Sequence, residues 1–94
     1  MDDNNFITSA RELPHSIEAE QSVLGAIIAD PSILPTVIEL IKPEYFYSEQ
    51  HSAIYSIILR MFSSGAPVDI VTLLNEAEKL HIFESPAEGR RYLS

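Results

Sequence analysis

Residues that could bind phosphate, hold a metal ion or act as a nucleophile are few in this 94-residue sequence. The glycines are Gly25, Gly65 and Gly89, and the histidines are His15, His51 and His81. None of the glycines belongs to a G-x-x-x-x-G-K-S/T motif, whose backbone cradles phosphate, so ATP hydrolysis by that route is excluded. The histidines are far apart and lack partners at ligand spacing, and no serine lies in a G-x-S-x-G motif. We therefore predict no catalytic residue, no cofactor and no metal ion within this sequence.

The other polar candidates have simpler structural interpretations. Asp69 directly precedes an apolar-periodic run, where an aspartate is far more often a helix N-cap than a catalytic acid. Glu18 and Glu20 could contact a neighbouring subunit, but first-turn glutamates complement the helix dipole without any partner, and we favour that interpretation. His51 lies on an apolar stripe three residues after Ser48, which predicts a hydrogen-bonded residue at the edge of the core.

Five capping signals divide the sequence into the helices that must position these residues. They are Ser16, Asp30-Pro31, Ser48, Asp69 and Ser85-Pro86. The predicted helices span residues 17–29, 31–41, 49–63 and 70–80, and a last helix begins at residue 86. Gly65 is predicted to be the left-handed residue that ends the third helix. Residues 1–13 lack a sustained apolar period and are predicted to form a mobile tail before one helical domain over residues 14–94.

Apolar residues recur at helical spacing in the first four helices, which gives each helix an inner face. The predicted inner residues are Val23, Leu24, Ile27, Ile28, Leu34, Val37, Ile38, Ile41, His51, Tyr55, Ile58, Phe62, Leu73, Leu74, Ala77 and Leu80, with Ile54 and Met61 at the flank. They predict an all-α fold with one shared core. Tyr45, Phe46 and Tyr47 are consecutive and cannot all face that core. At least one ring is therefore exposed, and Tyr45 and Tyr47 are candidate contacts for a partner.

The charge balance narrows the class of partner. Lys and Arg number 6 against 14 Asp and Glu, a net charge of −8, which disfavours direct binding to nucleic acid and to an anionic membrane. The same acidity favours a basic protein partner. No apolar run approaches the roughly 20 residues needed to cross a bilayer, and the first residues lack the basic start of a secretory signal. With no cysteine present, these features predict a cytoplasmic protein.

Several ordered motifs, over residues 13–93, resemble the N-terminal domain of bacterial replicative DNA helicases of the DnaB type. Residues 16–25 match that family's S-x-E-A-E-Q-S-V-L-G, and residues 44–47 are similar to its E-D-F-Y. His51 stands at the family's histidine, and residues 65–72 are similar to its G-x-P-V/I-D-L/I-V-T. Tyr92 stands at the tyrosine of its Y-L motif. Residues 83–93 depart from the usual L-x-x-x-G-G-x-x-Y-L, because the paired glycines are lost and the spacing is shifted.

The resemblance implies a compact orthogonal bundle of four to five short helices with no catalytic role of its own. In that family the N-terminal domains form a collar, a trimer of dimers, on six motor domains that hydrolyse ATP and move on single-stranded DNA. ATP and Mg²⁺ are therefore expected only in a C-terminal domain beyond residue 94, as is the helical hairpin that pairs collar domains. The implied partners are primase and the other subunits of a homo-hexamer. These 94 residues alone are expected to be a monomer or weak dimer.

The resemblance also implies a primase contact near the end of the sequence, at Arg90, Arg91, Tyr92 and Leu93. Packing of Tyr92 onto the fourth helix is an equally good interpretation. The main alternative function is the helicase-binding helical domain of primase, whose fold is similar, but that domain is not expected to carry the motifs at residues 18–21 and 69–72 in this order. An enzyme and a DNA-binding helix-turn-helix module are further alternatives. The missing catalytic motifs argue against an enzyme. A lack of DNA binding at low salt would exclude the helix-turn-helix module.

Overall fold

The computed structural model describes residues 16–94, and within them the chain is all-α, which confirms the predicted fold class. The helices are α1 (Ile17–Ala29), α2 (Leu34–Leu40), α3 (Glu49–Ser63), α4 (Ile70–Lys79) and α5 (Pro86–Leu93). Single turns of 3-10 helix, Pro31–Ile33 and Pro43–Tyr45, precede α2 and α3. Both the tail predicted at residues 1–13 and His15 lie outside the described residues.

Each predicted capping side chain caps the N-terminus of a helix. Ser16, Ser48, Asp69 and Ser85 each accept a hydrogen bond from the backbone N–H three residues later, and Asp30 accepts one from the N–H two residues later. The helix predicted over residues 31–41 is present over Pro31–Leu40, but its first turn is 3-10 rather than α. Pro35 has no N–H to bond the Pro31 carbonyl, so that carbonyl accepts instead from Leu34 in a 3-10 turn, and α2 begins there.

The core lies around α3, which packs against α1, α4 and the 3-10 turn before it. The buried apolar residues are Leu24, Ile27, Leu34, Phe46, Ile54, Tyr55, Ile57, Ile58, Met61, Val68, Leu73, Leu74, Ala77, Phe83 and Leu93. Because α3 has neighbours on several sides, its buried face is wider than one stripe and includes Ile57. Two predicted inner residues are instead exposed: Phe62, in the last turn of α3, by 42% and Leu80, which follows the end of α4, by 55%.

Left-handed residues end α3 and α4 and turn the chain back toward the core. Gly65 has φ +81°, as predicted, and its N–H bonds the Phe62 carbonyl while the next N–H bonds that of Met61. His81 plays the same part after α4, although its side chain makes φ +57° unfavourable. Its N–H bonds the Glu78 carbonyl and the following N–H bonds that of Ala77. This second turn brings buried Phe83 inward just before α5.

Truncating a core residue should destabilise the domain strongly. We expect Ile58→Ala and Leu74→Ala each to lower the free energy of unfolding by about 2–5 kcal/mol, because both buried side chains would leave cavities. Val71→Ala, on the exposed side of α4, is the matched control and should change it by less than about 0.5 kcal/mol. Urea denaturation followed by circular dichroism measures the three values. Small effects at both buried positions would contradict this description of the core.

Candidate interaction site

A chain of hydrogen bonds joins three helices that are distant in sequence. It consists of Glu20 on α1, His51 on α3 and Tyr92 on α5, which we call the polar triad. His51 Nδ1 lies 2.8 Å from Glu20 Oε1, and His51 Nε2 lies 2.7 Å from the Tyr92 hydroxyl. The imidazole is fully buried, deeper than the core edge predicted for it. Both of its nitrogens have a partner, as burial of a polar ring requires.

Glu20 reaches from α1 to the N-terminus of α3. Its Oε2 accepts a hydrogen bond from the Tyr47 N–H at 2.7 Å, and its Oε1 accepts one from the Ser48 N–H at 3.3 Å. The carboxylate thus lies where N–H groups lack helical partners and the dipole of α3 favours negative charge. Our interpretation of Glu20 as a residue serving only its own helix is therefore wrong. Its partners are 27 to 31 residues away, beyond any local spacing signal.

The ionised carboxylate of Glu20 determines the direction of its bond to His51. Burial opposes ionisation of Glu20, but the bonds from the Tyr47 backbone, the His51 ring and the Ser48 backbone outweigh it and hold the pKa of Glu20 below its ordinary value. An ionised carboxylate only accepts hydrogen bonds, so His51 Nδ1 donates to Glu20. Burial and then the charge of Glu20 raise the pKa of the Tyr92 phenol, so this hydroxyl keeps its proton while it is bonded to His51 Nε2.

The triad holds α5 in place together with close backbone contacts. Besides its hydroxyl, Tyr92 uses its carbonyl, which accepts a hydrogen bond from the Gln21 side chain of α1. A Cβ on Gly25 would lie 3.2 Å from the Leu93 carbonyl oxygen, and one on Gly89 would lie 2.5 Å from Leu74 Cδ2. The two glycines therefore let α1 and α4 approach α5 closely. Only Gly89 lies in the stretch that departs from the family motif.

The predicted contact residues at the end of the chain fall on different sides of α5. Arg90 and Arg91 are exposed, whereas Leu93 is buried in the core. Tyr92 is half-buried, with its hydroxyl on His51 and its ring 5.7 Å from that of Phe83. It packs inward against α3 and the turn before α5 rather than simply onto α4. Contact of a partner with this end of the chain stays a prediction, and the two arginines are the side chains placed to make it.

The aromatic segment before α3 is divided between core and surface. Phe46 is buried and its ring lies 5.2 Å from that of Tyr55, while Tyr45 and Tyr47 are each 60% exposed. The expectation that at least one of the three rings is exposed is therefore confirmed. Tyr45 also lines a shallow apolar hollow of about 200 Å³ between α1 and the end of α2. Partner contact by Tyr45 and Tyr47 stays a prediction.

A second hollow, of about 420 Å³, is acidic and lies beside the turn after α4. Its lining residues are Glu78, His81, Ile82, Phe83, Glu84 and Glu88.

Over residues 16–94 no group of three histidine or carboxylate side chains is arranged to hold a metal ion. In the same part of the chain no single helix is long and apolar enough to cross a membrane, and only the pair Ile17–Ala29 and Pro31–Leu40, bent by 107°, passes by length and composition together.

Comparison with known proteins identifies the family. A model described as "DnaB-like helicase N terminal domain" matches residues 12–94. The chain belongs to this family. Its resemblance to the helicase domain is thereby confirmed, and the match favours that domain over the helicase-binding domain of primase.

The relatives are longer proteins. The replicative DNA helicase DnaB of Geobacillus stearothermophilus is 47% identical over 68 residues, which are 72% of this chain and 15% of the relative. The replicative DNA helicase DnaC of Bacillus subtilis is 42% identical over 81 residues, 86% of this chain and 18% of the relative. The replicative DNA helicase DnaB of Rhodothermus marinus is 35% identical over 71 residues, which are 76% of this chain and 8% of the relative. The chain thus spans less than a fifth of each relative's length.

Removing the charge of Glu20 should change both the stability of the domain and its dependence on pH. At pH 7 we expect Glu20→Gln to lower the free energy of unfolding by about 1–3 kcal/mol, because the buried His51 ring and two backbone N–H groups lose a charged acceptor. The folded-state pKa of Glu20 is depressed, so its contribution is present above the ordinary value of 4.5 and is lost as pH falls through the folded-state value.

Urea denaturation at a series of pH values between about 7 and 3 measures this effect. The variant should lose less stability than the wild type over the acidic part of the series. Glu18→Gln, exposed on the same first turn, is the matched control and should follow the wild type. The pKa of Asp69 is also lowered, chiefly by the bond from the Thr72 backbone N–H. Asp69 is present in the wild type and in both variants, so its contribution to the acid dependence cancels and the comparison isolates Glu20. Identical acid dependence in the wild type and Glu20→Gln would contradict this role of the carboxylate.

Proposed function

We propose that the chain is the non-catalytic N-terminal collar domain of a replicative DNA helicase and that it mediates assembly of the hexamer and docking of primase. The family match over residues 12–94 carries this proposal. The relatives are named replicative DNA helicases and extend far beyond the matched segment. ATP hydrolysis with Mg²⁺, movement on DNA and a cytoplasmic location of the whole protein belong to the same proposal.

The surface chemistry of the domain supports a protein partner. In this acidic chain Arg60 Nη2 lies 3.7 Å from Glu76 Oε1, and Lys79 Nζ lies 3.1 Å from Glu76 Oε2. Arg90 and Arg91 are exposed, adjacent and outside any ion pair of the described part of the chain. Arginine is among the residues that most often anchor protein interfaces, and its planar group suits a carboxylate at the contact, even on the basic partner that the net charge of the chain favours. This end of α5 is therefore our candidate for the primase contact.

The purified chain should have no ATPase activity and no helicase activity. This expectation follows from the sequence, which has no phosphate-binding loop. Phosphate release by the chain, with and without single-stranded DNA, measures it, and the full-length helicase serves as the positive control. ATP turnover that a substitution within residues 1–94 abolishes would contradict the non-catalytic assignment.

Replacing both exposed arginines should weaken primase binding without unfolding the domain. In the full-length helicase we expect the double variant Arg90→Ser, Arg91→Ser to bind primase about 10- to 100-fold more weakly, with a melting temperature close to that of the wild type. The matched control is Arg60→Ser, Lys79→Ser, which removes two exposed cations that already have a carboxylate partner. Calorimetric titration and thermal unfolding measure the two quantities. Equal affinity of both double variants and the wild type would exclude α5 as the contact.

A further inference from the structure

The position of α5 depends on tertiary contacts. Within the described residues α5 packs against α1 and α4. Its apolar contacts are made by Leu93, which is buried, and by Gly89, which lies against Leu74 and Phe83. Contacts of this kind hold a helix close to the core but are non-directional. They define the rotation of α5 about its axis less sharply than hydrogen bonds do.

The polar triad supplies the directional contacts. The Tyr92 hydroxyl is hydrogen-bonded to His51 Nε2, and the Tyr92 carbonyl accepts from Gln21, so one residue of α5 is bonded to both α3 and α1. Hydrogen bonds weaken steeply with wrong distance or angle. His51 is fully buried, so loss of the hydroxyl would leave Nε2 without a partner. These bonds therefore favour one rotation and one register of α5.

We propose that Tyr92 is a positioning residue: through the polar triad it fixes α5 in the one orientation that presents Arg90 and Arg91 to the partner. Successive residues of a helix lie about 100° apart around its axis, so fixing Tyr92 also fixes the direction of the two arginines before it. The proposal rests on the proposed function for the identity of the partner. The fixing of α5 does not depend on that identity and is tested separately.

Tyr92→Phe removes only the hydroxyl and keeps the ring against Phe83. In the full-length helicase we expect the backbone amides of residues 86–94 to exchange with deuterium at least about tenfold faster than in the wild type, with little change in α3. The matched control is Tyr55→Phe, which removes another buried hydroxyl, one that donates to the Ile41 carbonyl at 2.7 Å and does not contact α5. It should not accelerate exchange selectively in residues 86–94. Hydrogen exchange read by mass spectrometry distinguishes the two, and equal exchange of residues 86–94 in both variants would overturn the proposal.

Primase affinity tests the consequence for docking. We expect Tyr92→Phe to weaken primase binding several-fold although both arginines are intact, and Tyr55→Phe to leave it unchanged. If α5 loosens and Arg90→Ser, Arg91→Ser weakens binding while Tyr92→Phe does not, the positioning role is overturned and the docking surface stands. If the arginine variant also binds normally, the proposed docking surface fails, whereas selective loosening of α5 still supports its fixation by the triad.

Discussion

The fold depends on the burial of one imidazole. His51 lies in the middle of an apolar core with no exposed surface, and each of its ring nitrogens needs a hydrogen-bond partner because an unpaired buried polar atom is costly. Neither partner comes from α3 itself. Glu20 must arrive from α1 and Tyr92 from α5, so satisfying one side chain requires that both ends of the described chain meet at the same helix. The carboxylate then also accepts the backbone N–H groups at the start of α3.

The parts of the fold that follow local rules could be predicted from the sequence. The caps at Ser16, Ser48 and Ser85 and the left-handed Gly65 are set by residues within a few positions of each other. The 3-10 turn at Pro31 is also encoded locally although we did not predict it, since Pro35 has no N–H for the Pro31 carbonyl to accept.

Other features depend on contacts between distant residues and had no local signal. The part that Glu20 plays at α3 is one, because its partners are in another helix. The exposure of Phe62 and Leu80 is another, since helical period alone does not reveal where a helix leaves its neighbours. For the candidate site, the sequence pointed to residues 90–93 but could not separate the inward Tyr92 and Leu93 from the outward Arg90 and Arg91.

The start and the packing of α5 are specified here without the family's paired glycines. Ser85 and Pro86 supply a cap and a first helical residue, so the helix start is specified by other means. Gly89 faces Leu74 and Phe83 at distances that no larger residue could keep without a shift. With α5 this close to α4, the Tyr92 hydroxyl reaches His51. The shifted spacing is therefore compatible with an α5 that packs on α1 and α4 and leaves the two arginines facing outward.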